Sequence, residues 1–365
     1  MNGHRGMDDP RLLALNTIAC SVPPGAGGLG QHFDELRQFA ESTAVNSVRC
    51  IYPSSRGRSD PAQVPLKLLA RGARFLPQIP STRAYPVFLQ AACIAFDLAA
   101  SRAISSKSRG FTGFASHSLL SFRRARQLGI AYLGLAAPNS HVDNLWRQQS
   151  LARSLYPFDR GWLTDSVRKR TIKEYDLADA IFISTEYQRA SFVEFGIDPD
   201  KLIRFDLRPL PQFTSRGRPP TAETFNIVYV GRIDLIKGIP VLLDAFSSVA
   251  RPDWRLTVMG NFLSYGLRKF ATERAQRDHR ITMLEYGEPL EVLRGAHVFV
   301  HPSFEDGFGY APMEALAVGV PVIVTDQTGM AEYVDEGVNG SVIPAGDVEV
   351  LAERLREYSS RLRDS

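Results

Sequence analysis

Three segments of the chain share one pattern, in which an apolar run is followed by a short loop and then by apolar residues at helical spacing. The clearest example begins with the apolar run 298–300 and continues into a helical spacing from Tyr310. Alternating apolar strands and amphipathic helices favour an α/β fold, in which helices pack in layers on a sheet. At 365 residues, the chain is long enough for two such domains.

A stretch rich in proline, glycine and serine lies at 209–220 and shows no apolar periodicity. We therefore expect one domain at 1–208, a linker at 209–222 and a second domain at 223–365. The second domain would begin with a new apolar strand at 225–230.

The loop after residues 298–300 carries an acidic pair, Glu305 and Asp306, and two glycines, Gly307 and Gly309. Glycines allow close approach of the backbone, and the free N–H groups and dipole of a helix that starts near Tyr310 favour an anion such as phosphate. The two carboxylates would repel a phosphate but accept hydrogen bonds from hydroxyl groups. A site for phosphate and hydroxyl groups together indicates a sugar nucleotide.

A second loop carries two cations, Arg232 and Lys237, between the apolar run 225–230 and a helix from about Pro240. Open α/β sheets bind ligands at the carboxyl ends of their strands, where these cations lie. A planar guanidinium and a mobile ammonium together suit a diphosphate. A lone arginine on a loop is usually solvated, so this assignment depends on its pairing with the glycine-bearing loop.

The segment 301–314 resembles the signature of retaining glycosyltransferases of the GT-B fold, the family 4 type (glycosyl transferases group 1). That signature has an acidic residue directly before Gly-Phe-Gly and a glutamate after seven intervening residues, which here are Asp306 and Glu314. Most members have glutamate at the first position, so Asp306 is a departure that shortens the side chain by one methylene. Without the resemblance, the two residues would be interpreted as a helix-capping acid and a surface glutamate.

The resemblance implies two Rossmann-like α/β domains that face each other across a cleft. Arg232 and Lys237 would neutralise the departing nucleotide diphosphate. Asp306 would hold hydroxyl groups of the donor sugar and Glu314 the ribose, while Glu305 lies one residue outside the frame. Backbone N–H groups and the helix start would complete the donor site, at Gly307, Phe308, Gly309 and Tyr310.

The N-terminal segment repeats the pattern, with an apolar strand at 12–20 and a glycine-rich loop at 21–30. The loop alone is a weak signal, because a dinucleotide-binding enzyme would have a similar one. However, no acidic residue suited to a nicotinamide ribose follows about 20 residues later. The resemblance assigns Gly27 and Gly28 to the donor phosphates.

Two apolar segments each end in a histidine, at His117 and His141. A histidine in such a position is more often a structural hydrogen-bonding group than a catalyst. The resemblance favours a role for His141 near the reacting sugar carbon, and it matches Gly113 to a glycine of the preceding loop. It also implies catalysis without a metal ion, cofactor or covalent nucleophile, and no Asp-x-Asp metal constellation is evident as a donor site.

Positive charge is concentrated in the N-terminal part, with 29 Lys and Arg against 18 Asp and Glu through Pro220. The stretch 65–76 mixes leucine and phenylalanine with the cations Lys67, Arg71 and Arg74. It predicts contact with an anionic membrane surface or, equally, a solvated helix with a packed apolar face. Nucleic acid is disfavoured as a partner, because no binding motif accompanies the charge.

Three widely spaced cysteines form neither a disulfide framework nor a metal site, which favours a reducing compartment. We expect no signal segment and no uninterrupted apolar run close to the roughly 20 residues that span a bilayer. The expected location is therefore the cytoplasm, with association at the inner face of the membrane if the basic stretch binds lipid.

The sequence thus predicts a metal-independent, retaining glycosyltransferase that moves a sugar from a nucleotide-diphosphate donor to a glycan or lipid-linked acceptor. The expected setting is bacterial cell-surface polysaccharide or glycolipid assembly. One alternative is a GT-B nucleotide-sugar hydrolase or epimerase. Another is a non-catalytic GT-B scaffold subunit, which loss of Arg232 or Lys237 would have favoured, but both are present.

Overall fold

The structure of the protein is a computed structural model. The described residues are 9–25, 27–42, 48–53, 63–64, 79, 84–214, 223–249 and 251–364. Two predictions fall outside them. These are the basic stretch with Lys67, Arg71 and Arg74, and residues 215–222 of the expected linker 209–222.

The chain divides into two compact units. The first comprises 1–74, 86–144 and 162–207, and the second comprises 75–85, 145–161 and 208–365. The domains expected from sequence, 1–208 and 223–365, are each continuous, whereas each unit of the structure combines three separate segments. Residues 145–161 join the second unit because their side chains pack there, as when Phe158 stacks on Phe270 with ring centroids 4.7 Å apart. The hydrophobic pattern of the sequence does not indicate that residues 145–161 belong to the second unit.

The first unit is built on a parallel sheet. Its strands are β1 (Thr17–Ala19), β2 (Arg49–Pro53), β3 (Gln63–Val64), β4 (Gly110–Phe114), β5 (Tyr132–Ala136), β6 (Ala180–Ile183) and β7 (Leu202–Arg204). The helices are α1 (Gly27–Ser42), α2 (Ala84–Ala103), α3 (Leu119–Gln127), α5 (Asp165–Leu177) and α6 (Glu186–Glu194). The helix α4 (Val142–Leu155) begins in this unit, but its residues from Leu145 onward belong to the second. The strand order is β3-β2-β1-β4-β5-β6-β7, so the direction of winding reverses between β1 and β4.

The first predicted strand is wrong in part. The apolar run at 12–20 begins as a 3-10 helix, Pro10–Asn16, and becomes extended only at β1. Pro10 occupies the first helical position, and the Asp9 side chain caps the turn by accepting a hydrogen bond from the Arg11 N–H. Leu12 and Leu15 are buried in this turn, as they would be in a strand, so the apolar pattern does not distinguish the two.

The second unit is also built on a parallel sheet. Its strands are β8 (Phe225–Val230), β9 (Trp254–Met259), β10 (Ile281–Leu284), β11 (Val298–His301), β12 (Val322–Thr325) and β13 (Gly340–Ile343). The helices are α7 (Ile239–Val249), α8 (Tyr265–Arg277), α9 (Pro289–Arg294), α10 (Tyr310–Ala317) and α11 (Val348–Asp364). The strand order is β10-β9-β8-β11-β12-β13, which reverses between β8 and β11.

The elements on which the site prediction depends are confirmed. The strands expected at 225–230 and 298–300 are β8 and β11, and the helix expected from Tyr310 is α10. All four residues of β11 are buried, as are five of the six in β8. Strands covered on both faces by helices appear in sequence as continuous apolar runs, which is why these two are recognisable.

The helix α2 is, by length and composition, apolar enough to cross a membrane, and 33% of its most apolar window is buried within the protein. Gln90 and Asp97 interrupt its apolar residues, so it is not an uninterrupted run of about 20 apolar residues, which the sequence is expected to lack. Asp97 also ties the helix to the fold, since its buried carboxylate accepts hydrogen bonds from the Leu120 and Ser121 N–H groups of α3.

Candidate functional site

The predicted donor residues of the second unit come together where its sheet reverses direction. β8 and β11 are neighbours in that sheet, with Val298 in register with Ile227. The loop that carries Arg232 and Lys237 leaves the carboxyl end of β8, and the glycine-bearing loop leaves that of β11. In open α/β sheets, this reversal point is where the crevice for a ligand forms.

Lys237 and Asp306 form an ion pair across these two loops. The Lys237 ammonium donates to Asp306 Oδ2 over 2.7 Å, and its Nζ lies 3.4 Å from the Glu305 carbonyl oxygen. His301 Nε2 lies 3.0 Å from the same Asp306 oxygen and donates to it, since an ionised carboxylate only accepts. One carboxylate oxygen therefore holds a cation and an imidazole in fixed positions.

The ionisation of this cluster follows from its contacts. Burial alone would raise the pKa of Asp306, but the Lys237 charge and the His301 hydrogen bond outweigh it and hold that pKa well below its usual range. Burial lowers the pKa of His301, although Asp306 opposes the shift. The imidazole is therefore neutral near pH 7, with its proton on Nε2, and its ring lies parallel to that of Tyr229.

Asp234 organises both predicted cations. Its carboxylate lies 2.9 Å from the Arg232 guanidinium, and it also caps the 3-10 helix Leu235–Lys237 by accepting from the Lys237 N–H. The Tyr229 hydroxyl donates to the Arg232 carbonyl over 2.6 Å. The Arg232 side chain remains 46% exposed, so its guanidinium can meet a ligand while Asp234 sets its direction.

Gly238 lets the two loops pack closely. It has φ +70°, and a Cβ there would collide with the Pro302 carbonyl oxygen. Next to it, the Phe304 N–H donates to the Ile236 carbonyl over 2.7 Å. The backbone thus fixes the loop after β8 against the loop after β11, which places Lys237 beside Asp306.

The start of α10 is formed as the glycines predict. Gly309 has φ +100° and is the N-cap residue, without a side-chain cap. The backbone of Asp306 is anchored to the next loop, since its N–H donates to Gln327 and its carbonyl accepts from Gly329. Gly307 lies between these points, and the buried Phe308 ring packs 5.2 Å from that of Tyr310.

Glu314 and Glu305 are both buried, 8% and 0% exposed. Burial raises the pKa of Glu314 to about 7, so this carboxyl changes charge near neutral pH. The alternative interpretation as a helix-capping acid and a surface glutamate is wrong, because Asp306 caps no helix and Glu314 is not on the surface.

The other predicted site residues belong to the first unit. Gly27 (φ +62°) and Gly28 form the exposed first turn of α1, which follows β1. Gly113 lies in β4, where a Cβ would collide with the Ser118 hydroxyl, so close packing also accounts for this glycine. The strands β1 and β4 flank the reversal point of the first sheet.

His141 lies just before α4 and is nearly enclosed. Its Nδ1 accepts from the Asp143 N–H over 3.2 Å, and its ring stacks on Phe195 with centroids 4.9 Å apart. Burial lowers the pKa of His141 to about 4, so the ring is neutral at ordinary pH. This environment suits a fixed hydrogen-bonding group. A role toward the sugar stays a prediction.

Sequence reasoning missed three residues of the candidate site. His301 and Asp234 contact the predicted residues directly, and Tyr229 orients the Arg232 backbone. Asp234 could have been found, because an aspartate three residues before Lys237 is an N-cap signal. His301 stands at the end of its strand five residues before Asp306, and nothing in that spacing indicates the contact. In the part of the chain that the structure describes, no group of three or more His, Cys, Asp or Glu is placed to hold a metal ion.

Two Rossmann-like units with parallel sheets match the GT-B class of glycosyltransferase folds, and the fold prediction is confirmed. WaaG, a glycosyltransferase involved in lipopolysaccharide biosynthesis, has a TM-score of 0.62 at 19% identity, covering 95% of this chain and 92% of that chain. HepE from Anabaena, solved in complex with UDP-glucose, has a TM-score of 0.60 at 14% identity, covering 95% and 93%.

Residues 213–361 match the family model described as Glycosyl transferases group 1, and this match spans the candidate donor residues of the second unit. The capsular polysaccharide biosynthesis glycosyltransferase CapM of Staphylococcus aureus is 31% identical over 142 residues, covering 37% of this chain and 37% of that protein. The chain thus spans less than half the length of the first curated relatives that it matches.

Proposed function

We propose that the protein is a retaining glycosyltransferase that transfers a sugar from a nucleotide-diphosphate donor without a metal ion. The observation that carries this proposal is the convergence of Arg232 and Lys237 with the glycine-led start of α10, at the reversal point of the second sheet. Two fixed cations and a helix N-terminus are what a departing diphosphate requires.

In the proposed reaction, the bond between the anomeric carbon and the diphosphate oxygen breaks, and Arg232 and Lys237 stabilise the negative charge that develops on that oxygen. The sugar gains positive character, which the ionised Asp306 stabilises. The acceptor hydroxyl attacks from the same face, so the configuration is retained, and its proton passes to the departing phosphate. Glu314 holds the ribose throughout.

Similar proteins support the proposed classes of donor and acceptor. HepE binds UDP-glucose, WaaG is involved in lipopolysaccharide biosynthesis and CapM in capsular polysaccharide biosynthesis. These relatives support a sugar nucleotide as donor and a glycan or lipid-linked acceptor in cell-surface polysaccharide or glycolipid assembly. The presence of both cations, held in place by carboxylates, argues against a non-catalytic scaffold, and a hydrolase or epimerase would show no dependence on an acceptor hydroxyl.

A thermal-shift screen with UDP, GDP and ADP sugars tests the proposal, because a ligand that binds only the folded state raises its stability. Transfer is then measured with the stabilising donor. Arg232→Ala should lower turnover by roughly 10²–10³. Arg294→Ala is a matched control, since that side chain is 45% exposed in the same unit and pairs with Glu291. Normal turnover in both Arg232→Ala and Lys237→Ala would contradict the assignment.

We also propose a cytoplasmic location, with binding to anionic membrane through the stretch that contains Lys67, Arg71 and Arg74. Its support is the charge and composition of that stretch. Binding to liposomes should require acidic headgroups and weaken as salt rises. Equal partitioning onto neutral vesicles, or none at all, would leave the stretch as a solvated helix.

A further inference from the structure

A cavity of about 410 Å³ lies within the first unit, between α2 and α5. One wall is apolar and is formed by Cys93, Ile94, Leu119 and Val167. The volume is within the range of pockets that hold a small molecule or one segment of an extended chain. None of the donor-site residues of the second unit belongs to it.

Cations of α5 also line the cavity. Lys169 and Lys173 are four residues apart on α5 and so project from the same face of the helix. Lys169 pairs with Asp165 over 2.7 Å. The Lys173 side chain is exposed and has no hydrogen bond or ion pair with any described part of the chain. A ligand anion is therefore the natural partner for its charge.

The buried carboxyl groups nearby, Glu174 and Asp97, form no ion pair with Lys173. Glu174 accepts from the N–H groups of Ser118 and Leu119, and Asp97 from those at the start of α3. Both also lie next to the Arg170 guanidinium. Burial raises the pKa of Glu174 to about 8, so this carboxyl is largely protonated near pH 7. The Asp97 carboxylate is bound by the start of α3 and by Arg170, so neither group offsets the charge of Lys173.

The apolar wall continues outside the cavity. Val87, Ala91, Ile94 and Leu98 are all exposed and follow one another at helical spacing along α2. Val87 is 65% and Leu98 42% exposed, which is unusual for aliphatic side chains in line on one face. Ile94 belongs both to this stripe and to the cavity, so a hydrocarbon chain could lie in the cavity and continue along the helix.

We infer that this groove binds a single anionic amphiphile, with a phosphate head group at Lys169 and Lys173 and a hydrocarbon chain along Ile94 and the α2 stripe. Its assignment as the acceptor site rests on the proposed transferase function. A concave groove fits one chain, whereas a flat bilayer surface would leave its cavity unfilled. The acceptor class is then a lipid phosphate or diphosphate whose head group also carries the hydroxyl that attacks the sugar.

Calorimetric titration of the purified protein with dodecyl phosphate, kept below its micelle concentration, tests the inference. Saturable binding at one site is expected. Lys173→Ala should weaken binding about tenfold through loss of a charge-assisted contact, and Ile94→Gln by a similar factor through loss of apolar contact. The matched controls are Lys107→Ala and Val193→Gln, which change an exposed lysine and an exposed valine elsewhere in the first unit. Both should bind as the parent protein does.

Three results would overturn the inference. They are equal binding of dodecyl maltoside, equal binding by Lys173→Ala, and binding to anionic vesicles without binding of the monomeric amphiphile. Nucleotide binding is measured on the same variants by thermal shift. If nucleotide binds but the amphiphile does not, the groove assignment alone fails. If the amphiphile binds and no nucleotide does, the proposed function fails while the groove remains.

Discussion

At the scale of single residues, the Asp306 carboxylate already has hydrogen-bond partners within the protein before a sugar binds. Its Oδ2 already accepts from Lys237 and His301, and its depressed pKa keeps it ionised throughout the range from pH 5 to 8. Lys237 is thus held in position before a donor arrives, at the cost of sharing its charge. His301 adds a neutral donor that fixes the carboxylate direction.

The Asp306→Asn variant should reduce transfer sharply and leave nucleotide affinity nearly unchanged. The amide keeps the shape but removes the charge that stabilises a positively charged sugar in the transition state. The neighbouring Glu305→Gln variant is the comparison and should be mild. Both are measured in one transfer assay, with thermal midpoints to show that each variant folds. If Glu305→Gln proves the more damaging to transfer, the alignment of the acidic pair is wrong by one residue.

Nucleotide affinity should rise between pH 6 and pH 8 because of Glu314. Its pKa is raised to about 7, so the carboxylate that accepts from ribose hydroxyl groups becomes the major form only as the pH passes that value. Glu314→Gln should bind nucleotide more weakly and without this slope. The raised pKa also means that the folded state binds the extra proton, so the stability of the parent protein relative to this variant falls as pH rises from about 4.5 to 7. A pH-independent affinity in the parent protein would contradict the role of Glu314.

At the scale of elements, two loops make the site because backbone contacts fix them together. The 3-10 turn at 235–237 is capped by Asp234, and Gly238 then reverses the chain in a left-handed conformation against Pro302. The site geometry therefore depends on backbone contacts far more than on the exposed side chains. Changes to the turn should affect folding and donor binding together.

Gly238→Ala should destabilise the protein by clearly more than Gly319→Ala, as measured by denaturant unfolding. Both glycines have left-handed φ angles, +70° and +81°, so both variants carry a backbone cost of about 1–2 kcal/mol. Only at Gly238 would the new Cβ meet a carbonyl oxygen, whereas nothing lies within 4 Å at Gly319. Equal destabilisation would show that the loops are free to separate.

The same physical causes explain which elements can be predicted from the sequence and which cannot. The strands β8 and β11 are predictable because burial on both faces makes them continuous apolar runs, and α10 because glycines precede its first turn. The 3-10 helix at 10–16 is not, since its leucines are buried in either conformation. The His301 contact to Asp306 depends on how a loop folds back, which local spacing does not encode.

At the scale of the whole molecule, the two halves of the chain have net charges of opposite sign and different candidate ligands. Through Pro220 the chain has an excess of Lys and Arg, whereas the remainder has 14 Lys and Arg against 21 Asp and Glu. The anionic donor is thus proposed to bind in the more acidic half. Because the net charge of that half does not attract an anion, binding would depend on the local arrangement of Arg232, Lys237 and the start of α10. The more basic half contains the lysine-lined groove, which suits an anionic acceptor.

The proposed absence of a metal requirement tests how the donor charge is balanced. If Arg232, Lys237 and the α10 N-terminus neutralise the diphosphate by themselves, excess EDTA should change turnover by no more than about twofold. The assay compares EDTA-treated protein with protein given Mg²⁺ or Mn²⁺, at constant ionic strength because the cations are partly exposed. Arg232→Ala should remain slow in both conditions, since a dissolved ion does not reproduce a fixed guanidinium. Complete loss of activity in EDTA, restored by Mn²⁺, would mean that a bound metal carries the diphosphate charge and that the proposed role of the two cations is wrong.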